Sequence, residues 1–218
     1  IWISNDKAVG LGHARLSIID LYTGRQPLSS ENNRIHAVVN GEFYDFEKIR
    51  EEMLAKGYKF KTKSDSEILI PLYQEYGAEC LKYLRGEFAF VLWDEEKKQI
   101  FAARDRFGIK PLFHTIHNNR LLFASESKAL FALGAPCKLN ARSILLIENM
   151  LYPQDSSCFE NMNPIKPGHF ILSKGSELVE KKYWDFDYEK AEEVSEKYKE
   201  EDYIELFQNK FEESIKLR

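Results

Sequence analysis

Three features of the chain predict an α+β fold. Strand-like runs are joined by short polar breaks: Leu112–Ile116 to Leu121–Ser125 across His117-Asn118-Asn119-Arg120, and Gly168–Ser173 to Leu178–Tyr183 across Lys174-Gly175-Ser176. Such breaks read as hairpins. A dense apolar run, Phe88–Trp93, reads as a strand covered on both faces. The helices are few, and a capping residue announces several of them. Antiparallel hairpins with separate helices define the α+β class.

Length and composition bound the rest. With 218 residues, the chain suits one large domain, or one domain with an extension. Hydrophobic residues make up 44%, enough for a sizeable core. The net charge of −4 argues against a nucleic-acid surface, which needs a basic patch. No apolar run approaches the roughly 18 residues of a membrane helix. With no signal peptide visible, the expected location is cytoplasmic. Cys80, Cys137 and Cys158 are widely spaced and odd in number, which excludes a metal knuckle and favours free thiols.

The elements follow in order. Val9–Leu21 is an apolar run entered by His13 and Arg15. A surface cation is the common fate of an arginine, but at the mouth of such a run its fork suits a carboxylate. His13 reads as structural. Gly24–Pro27 reads as a turn, Ile35–Val39 as a strand. Asp45 is placed to cap a helix with Phe46, Ile49, Met53 and Leu54 on one face, closed by Lys56-Gly57. Tyr58–Thr62 alternates like a short strand. Ser64-Asp65-Ser66-Glu67 fits a capping box before a helix carrying Pro71, which should kink it, and ending at Gly77. Glu79–Leu84 is a helical turn, and Gln99–Arg104 is the return strand after Phe88–Trp93. Asp105–Pro111 reads as a solvated loop, Glu126–Leu133 as a helix, and Asn140 as the cap of another through Met150. The charged run Glu189–Asp202 suggests a linker, and Glu205–Arg218 regains helical spacing.

Asn40-Gly41-Glu42 follows an apolar run directly. On composition alone it reads as a two-residue hairpin turn, since Asn and Gly both tolerate positive φ. The triplet also offers an amide donor, an approachable N–H and a carboxylate. Such donors, held in place, could polarise a carbonyl.

The stretch HAVVNGEFYDFEKIR resembles the core motif of class II glutamine amidotransferases, above all the glutamine-dependent asparagine synthetases. GHARLSIIDL from Gly12, KSDSEIL from Lys63, LRGEFAFVLWD from Leu84, ARDRFGIKPLF from Ala103, SESKAL from Ser125 and PGHFIL from Pro167 follow the family's order. The resemblance implies a four-layer αββα sandwich of two antiparallel sheets flanked by helices, the N-terminal-nucleophile hydrolase type. It implies a glutaminase domain over residues 1–185 and, over 186–218, a linker and the first helix of a synthetase domain. It also implies the site: Arg15, with the strand Leu16, Ser17, Ile18 and Ile19, for the α-carboxylate of L-glutamine, and Glu42 and Asp65 for its α-ammonium. Asn40 and Gly41 would form the oxyanion hole. The block Asp105–Phe113 would support the pocket.

The family's nucleophile is an N-terminal cysteine, and no Cys-Gly-Ile start or His-Arg-Gly-Pro-Asp block is present. None of the three cysteines matches that position. The expectation is a glutaminase domain truncated at both ends, inactive alone, from an asparagine synthase (glutamine-hydrolysing). No cofactor or metal is expected here. ATP and Mg²⁺ would belong to the C-terminal synthetase domain, with aspartate. No partner nucleic acid or membrane is expected, and the resemblance allows a homodimer. The alternatives are another class II amidotransferase, a synthetase-like enzyme making a different amide or with a decayed glutaminase half, and a non-catalytic interaction domain.

Overall fold

The computed structural model describes residues 1–15, 20, 23–188 and 199–217. The chain divides into two compact units, Ile1–Tyr183 and Trp184–Arg218. In the first, the strands are β1 (Trp2–Ile3), β2 (Gly10–Leu11), β3 (Leu28–Ser29), β4 (Ile35–Phe43), β5 (Gly86–Asp94), β6 (Gln99–Arg104), β7 (Phe113–His117), β8 (Arg120–Ala124), β9 (Asn163–Pro164), β10 (His169–Lys174) and β11 (Glu177–Lys182). The helices are α1 (Phe46–Ala55), α2 (Leu69–Tyr76), α3 (Ser127–Ala132) and α4 (Ala141–Glu148), with 3-10 turns at Asp65–Ile68 and Gly77–Lys82.

A six-stranded antiparallel sheet, in the order β11-β10-β6-β5-β4-β3, forms the centre. One face carries α1 and α2. Phe43, Phe88, Phe90, Phe101 and Phe170 meet there in successive ring contacts with centroids 5.0 to 5.9 Å apart, beside Met53, Leu69 and Leu72. The other face packs Val38, Ala89, Val91, Trp93 and Ile171 against Trp2, Leu11 and Phe123 of two smaller sheets, β1-β2 and β8-β7-β9. Outside the three-stranded sheet, Leu130 and Phe131 of α3 cover Phe113, Leu122 and Ala124. The layers thus run helix, sheet, sheet, helix, as expected, with the second sheet layer in two pieces among the described residues.

Most local expectations hold for the reasons that produced them. β7 and β8 turn through Asn118 and Asn119, both at positive φ (49° and 57°), as the tight hairpin requires. Asn140 caps α4 through the Ser143 N–H at 3.2 Å. β5 is buried along nearly its whole length.

Four expectations are corrected. Asp45 precedes α1, but its side chain makes no cap bond. It sits at φ 56° and faces Arg85 at 3.3 Å. Tyr58–Thr62 forms no strand, because Lys61 and Thr62 donate their N–H groups to the Glu67 carboxylate, each at 2.7 Å. The capping box is therefore half made: Ser64 caps Ser66, while Glu67 turns to that loop instead of back to Ser64. The irregularity assigned to Pro71 falls earlier, where the 3-10 turn Asp65–Ile68 gives way to α2 two residues ahead of it.

The second unit contains α5 (Glu200–Lys216), which begins five residues before the expected Glu205. The Asp202 carboxylate accepts the Lys199 N–H at 3.0 Å, and Glu200 and Glu201 add charge that favours a helix N-terminus. Phe207 and Phe211 stack one turn apart. Residues 189–198 of the charged run lie outside the described residues. No helix among those described is long and apolar enough to cross a membrane.

Candidate functional site

Asn40-Gly41-Glu42 is not a turn. The triplet lies inside β4, opposite Ala89, Phe88 and Glu87 of β5. The glycine's freedom is used within the ladder: Gly41 has φ +125°, and a Cβ there would sit 1.9 Å from the Glu87 carbonyl oxygen. Gly86 mirrors it at φ +144°, with the Glu42 carbonyl oxygen 2.1 Å from where its Cβ would be. Two glycines let the backbones of β4 and β5 approach where side chains would part them.

Alternate residues of a strand present their main-chain groups to the same edge. On β4, Val39, Gly41 and Phe43 face away from β5. The Phe88 carbonyl opposite Gly41 confirms this by turning to the Asp105 N–H at 2.7 Å. Gln26 takes both main-chain groups of Val39, and Asp65 takes the Phe43 N–H at 2.8 Å. The Gly41 N–H lies between these two clamps, on the open edge.

A cleft of about 240 Å³ opens there, lined by His13, Arg15, Gln26, Asn40, Gly41, Glu42, Asp65 and Lys110, among others. Asp65 is 4% exposed at the head of its 3-10 turn, and its second oxygen accepts from Ser64 Oγ at 3.2 Å. Three ties hold its loop. Arg50 donates to the Thr62 and Ser64 carbonyls at 2.7 Å each, Glu67 holds Lys61 and Thr62, and the Asp20 carboxylate accepts the Lys63 N–H at 2.8 Å. Arg15 donates to the Asp20 carbonyl at 2.9 Å and lies against Gly24, where a Cβ would meet its guanidinium at 2.6 Å. Asp20 thus links the arginine wall to the aspartate wall.

Arg15, Asn40, Gly41, Glu42 and Asp65 therefore share one cleft. Leu16, Ser17, Ile18 and Ile19 lie outside the described residues. His13 lines the wall. Its Nδ1 is buried without a hydrogen-bond partner among the described residues, and burial foremost lowers its pKa, opposed by the Val39 carbonyl and assisted by the Arg15 charge. Two wall residues were not singled out as site residues from sequence. Gln26 read as part of a turn. Lys110 read as part of a supporting loop, yet it reaches the cleft with its ammonium 3.6 Å from Glu87.

That loop is not simply solvated. Asp105 is 0% exposed and accepts the N–H groups of Phe107, Ile109 and Lys110 at 3.0 Å each. Arg104 holds the carbonyls of Gly108, Lys110 and Ile165. Among the described residues, no cysteine lines the cleft. Cys80 is buried, which pushes its thiol up and away from reactivity. The cleft offers one guanidinium, one ammonium, two carboxylates, the Asn40 amide and the Gly41 N–H. That set matches a zwitterionic amino acid with a polar carbonyl in its side chain.

The chain belongs to the glutamine amidotransferase domain family, whose model matches residues 1–184. It is 47% identical over 190 residues to Amidase chry2 of Gibberella zeae, covering 86% of this chain and 28% of that protein. It is 37% identical over 182 residues to asparagine synthetase [glutamine-hydrolyzing] 1 of Bacillus subtilis, covering 83% and 29%. The chain thus spans less than a third of these relatives. The glutamine phosphoribosylpyrophosphate amidotransferase of B. subtilis shares the fold with a TM-score of 0.55 at 21% identity, over 74% of this chain and 32% of that one.

Proposed function

We propose that this chain is the glutaminase part of a glutamine-dependent amide-forming enzyme. Arg15 binds the α-carboxylate of L-glutamine. Glu42 and Asp65 bind the α-ammonium, and Asn40 Nδ2 and the Gly41 N–H receive the side-chain carbonyl. The observation that carries this reading is the Gly41 N–H on the open edge of β4, between Gln26 and Asp65.

In the reaction, a thiol adds to the amide carbon and the carbonyl oxygen gains negative charge. Asn40 and Gly41 stabilise that oxyanion, and loss of one such donor costs about 10²–10³ in rate. The thiol's proton passes to the amide nitrogen, collapse expels ammonia and leaves a thioester, and water then cleaves the thioester to glutamate and restores the thiol. Cys80, Cys137 and Cys158 are not the thiol in this reading. ATP, Mg²⁺ and the ammonia acceptor belong to a synthetase domain.

The first form of the reading is an asparagine synthase (glutamine-hydrolysing) with aspartate as acceptor. A second, supported by 47% identity to a protein named an amidase, is a related enzyme acting on another amide. Glutamate release from L-glutamine by the full-length protein, with ATP and Mg²⁺ and with or without aspartate, separates them. Asparagine formed in step with glutamate supports the first. Glutamate without asparagine supports the second, and no glutamate overturns both.

A further inference from the structure

Gln26 stands where a strand should have continued. β3 sets Leu28 opposite Ala37 and Ser29 opposite His36. Two residues further, that register would place Gln26 opposite Val39, and two beyond, Gly24 opposite Gly41. The main chain does not follow. The strand begins at Leu28, directly after Pro27, which has no N–H to give a ladder. The Gln26 side chain fills the rung instead: the Val39 N–H donates to Oε1 at 2.7 Å, and Nε2 donates to the Val39 carbonyl at 3.0 Å.

We propose that Gln26 is a positioning residue of the glutamine cleft. Its side-chain amide ends the β3–β4 ladder one rung short of Gly41, holding the strand while leaving the Gly41 N–H open to ligand. A main-chain rung at this point would carry the ladder on, and the backbone of Gly24 would then cover that N–H. The Nε2 bond also fixes the peptide between Val39 and Asn40, and so the direction of the Asn40 side chain. The task needs a donor and an acceptor on one side chain. Leucine supplies neither. Glutamate supplies only the acceptor and adds an anion near Glu42 and Asp65. Asp65 grips Phe43 on the far side, so Gly41 is framed on both sides by side chains, not by a neighbouring strand.

The ligand in this inference rests on the proposed function, and the test separates the two. L-Glutamine and L-norvaline, which has no side-chain amide, are titrated calorimetrically into the wild-type chain and into Gln26→Leu and Gln26→Glu. Amide exchange at Val39 and Gly41 is followed by NMR without ligand. Gln26→Leu is expected to bind L-glutamine about tenfold more weakly, with norvaline affinity moved by less than about twofold. Gln26→Glu, which keeps the Val39 acceptor, is expected to fall between. Gln26→Leu leaves two buried main-chain groups unpaired, so its melting temperature is expected to fall, with Val39 exchange accelerated beyond that of the β5 and β6 amides. Unchanged glutamine affinity overturns the proposal, as does equal weakening of both ligands. If the wild-type chain takes up no glutamine, the proposed function fails. Gln26 is then judged on exchange alone, and unchanged Val39 and Gly41 amides overturn the clamp.

Discussion

At the scale of single residues, Gly41 carries the tightest constraint in the cleft. Its φ leaves no room for a side chain, and neither does the Glu87 carbonyl oxygen, 1.9 Å from where a Cβ would sit. The obstacle is backbone, which cannot swing aside. Gly41→Ala is expected to lose about 3 kcal/mol or more of stability, read from urea denaturation. A loss below about 1 kcal/mol would show that β4 and β5 can part there without cost. His36, five residues earlier on the same strand, makes the fold sensitive to pH. Its Nδ1 accepts from Ser29 Oγ at 2.8 Å, its Nε2 donates to the Asn33 carbonyl at 3.1 Å, and Trp2 stacks on the ring at 3.8 Å. Burial lowers its pKa, with the Asn33 bond and Glu95 opposing and Lys61 assisting. A depressed folded pKa means that the unfolded chain takes up the proton first. The contribution is whole above the ordinary histidine value near ~6.5 and is lost as the pH falls through the folded pKa. His13 and His114 shift the same way, each by burial foremost. The melting temperature is expected to fall between about pH 7 and 5, less steeply in His36→Gln. An identical slope in that variant would remove His36 from the explanation.

At the scale of elements, the loop after β6 shows how a charged stretch becomes rigid. Asp105 organises it from inside, and Arg104 ties its carbonyls to the segment before β10. Asp105→Asn removes one acceptor oxygen and sets an NH₂ group against buried N–H donors. A loss of about 2–4 kcal/mol is expected, together with weaker glutamine binding through displaced Lys110. Full stability in that variant would mean that the loop holds itself. This loop also marks the boundary of what could be read from the residues. Arg15, Asn40-Gly41-Glu42 and Asp65 were legible because each sits in a contiguous motif. Gln26 and Lys110 were not. The role of Gln26 arises where β3 stops, and that of Lys110 from a loop folded around the buried Asp105 carboxylate five residues before it. The Asn-Gly turn misled for a related reason: positive φ at a glycine signals a turn only when no second strand is pressed against it, and Gly86 supplies the matching gap. Likewise, Tyr58–Thr62 alternates like a strand, but Glu67 claims its N–H groups.

At the scale of the whole molecule, the layers follow from the hydrophobic pattern. β4, β5, β6 and β10 send alternate side chains to the helices and to the smaller sheets, so the central sheet is covered on both faces. The cleft lies at one edge, where β3 is cut short and the residues around Arg15 and Asp65 stand across from each other. The fold alone would license no function. The assignment rests on that edge being lined by one guanidinium, two carboxylates and an open glycine N–H. The most direct measurement is calorimetric titration of the chain with L-glutamine and D-glutamine, alongside Glu42→Gln. The expected result is one L-glutamine per chain, with the D-enantiomer and the variant each at least about tenfold weaker. Equal binding of the two enantiomers, or no uptake of L-glutamine by the folded chain at concentrations of about 10 mM, would contradict it.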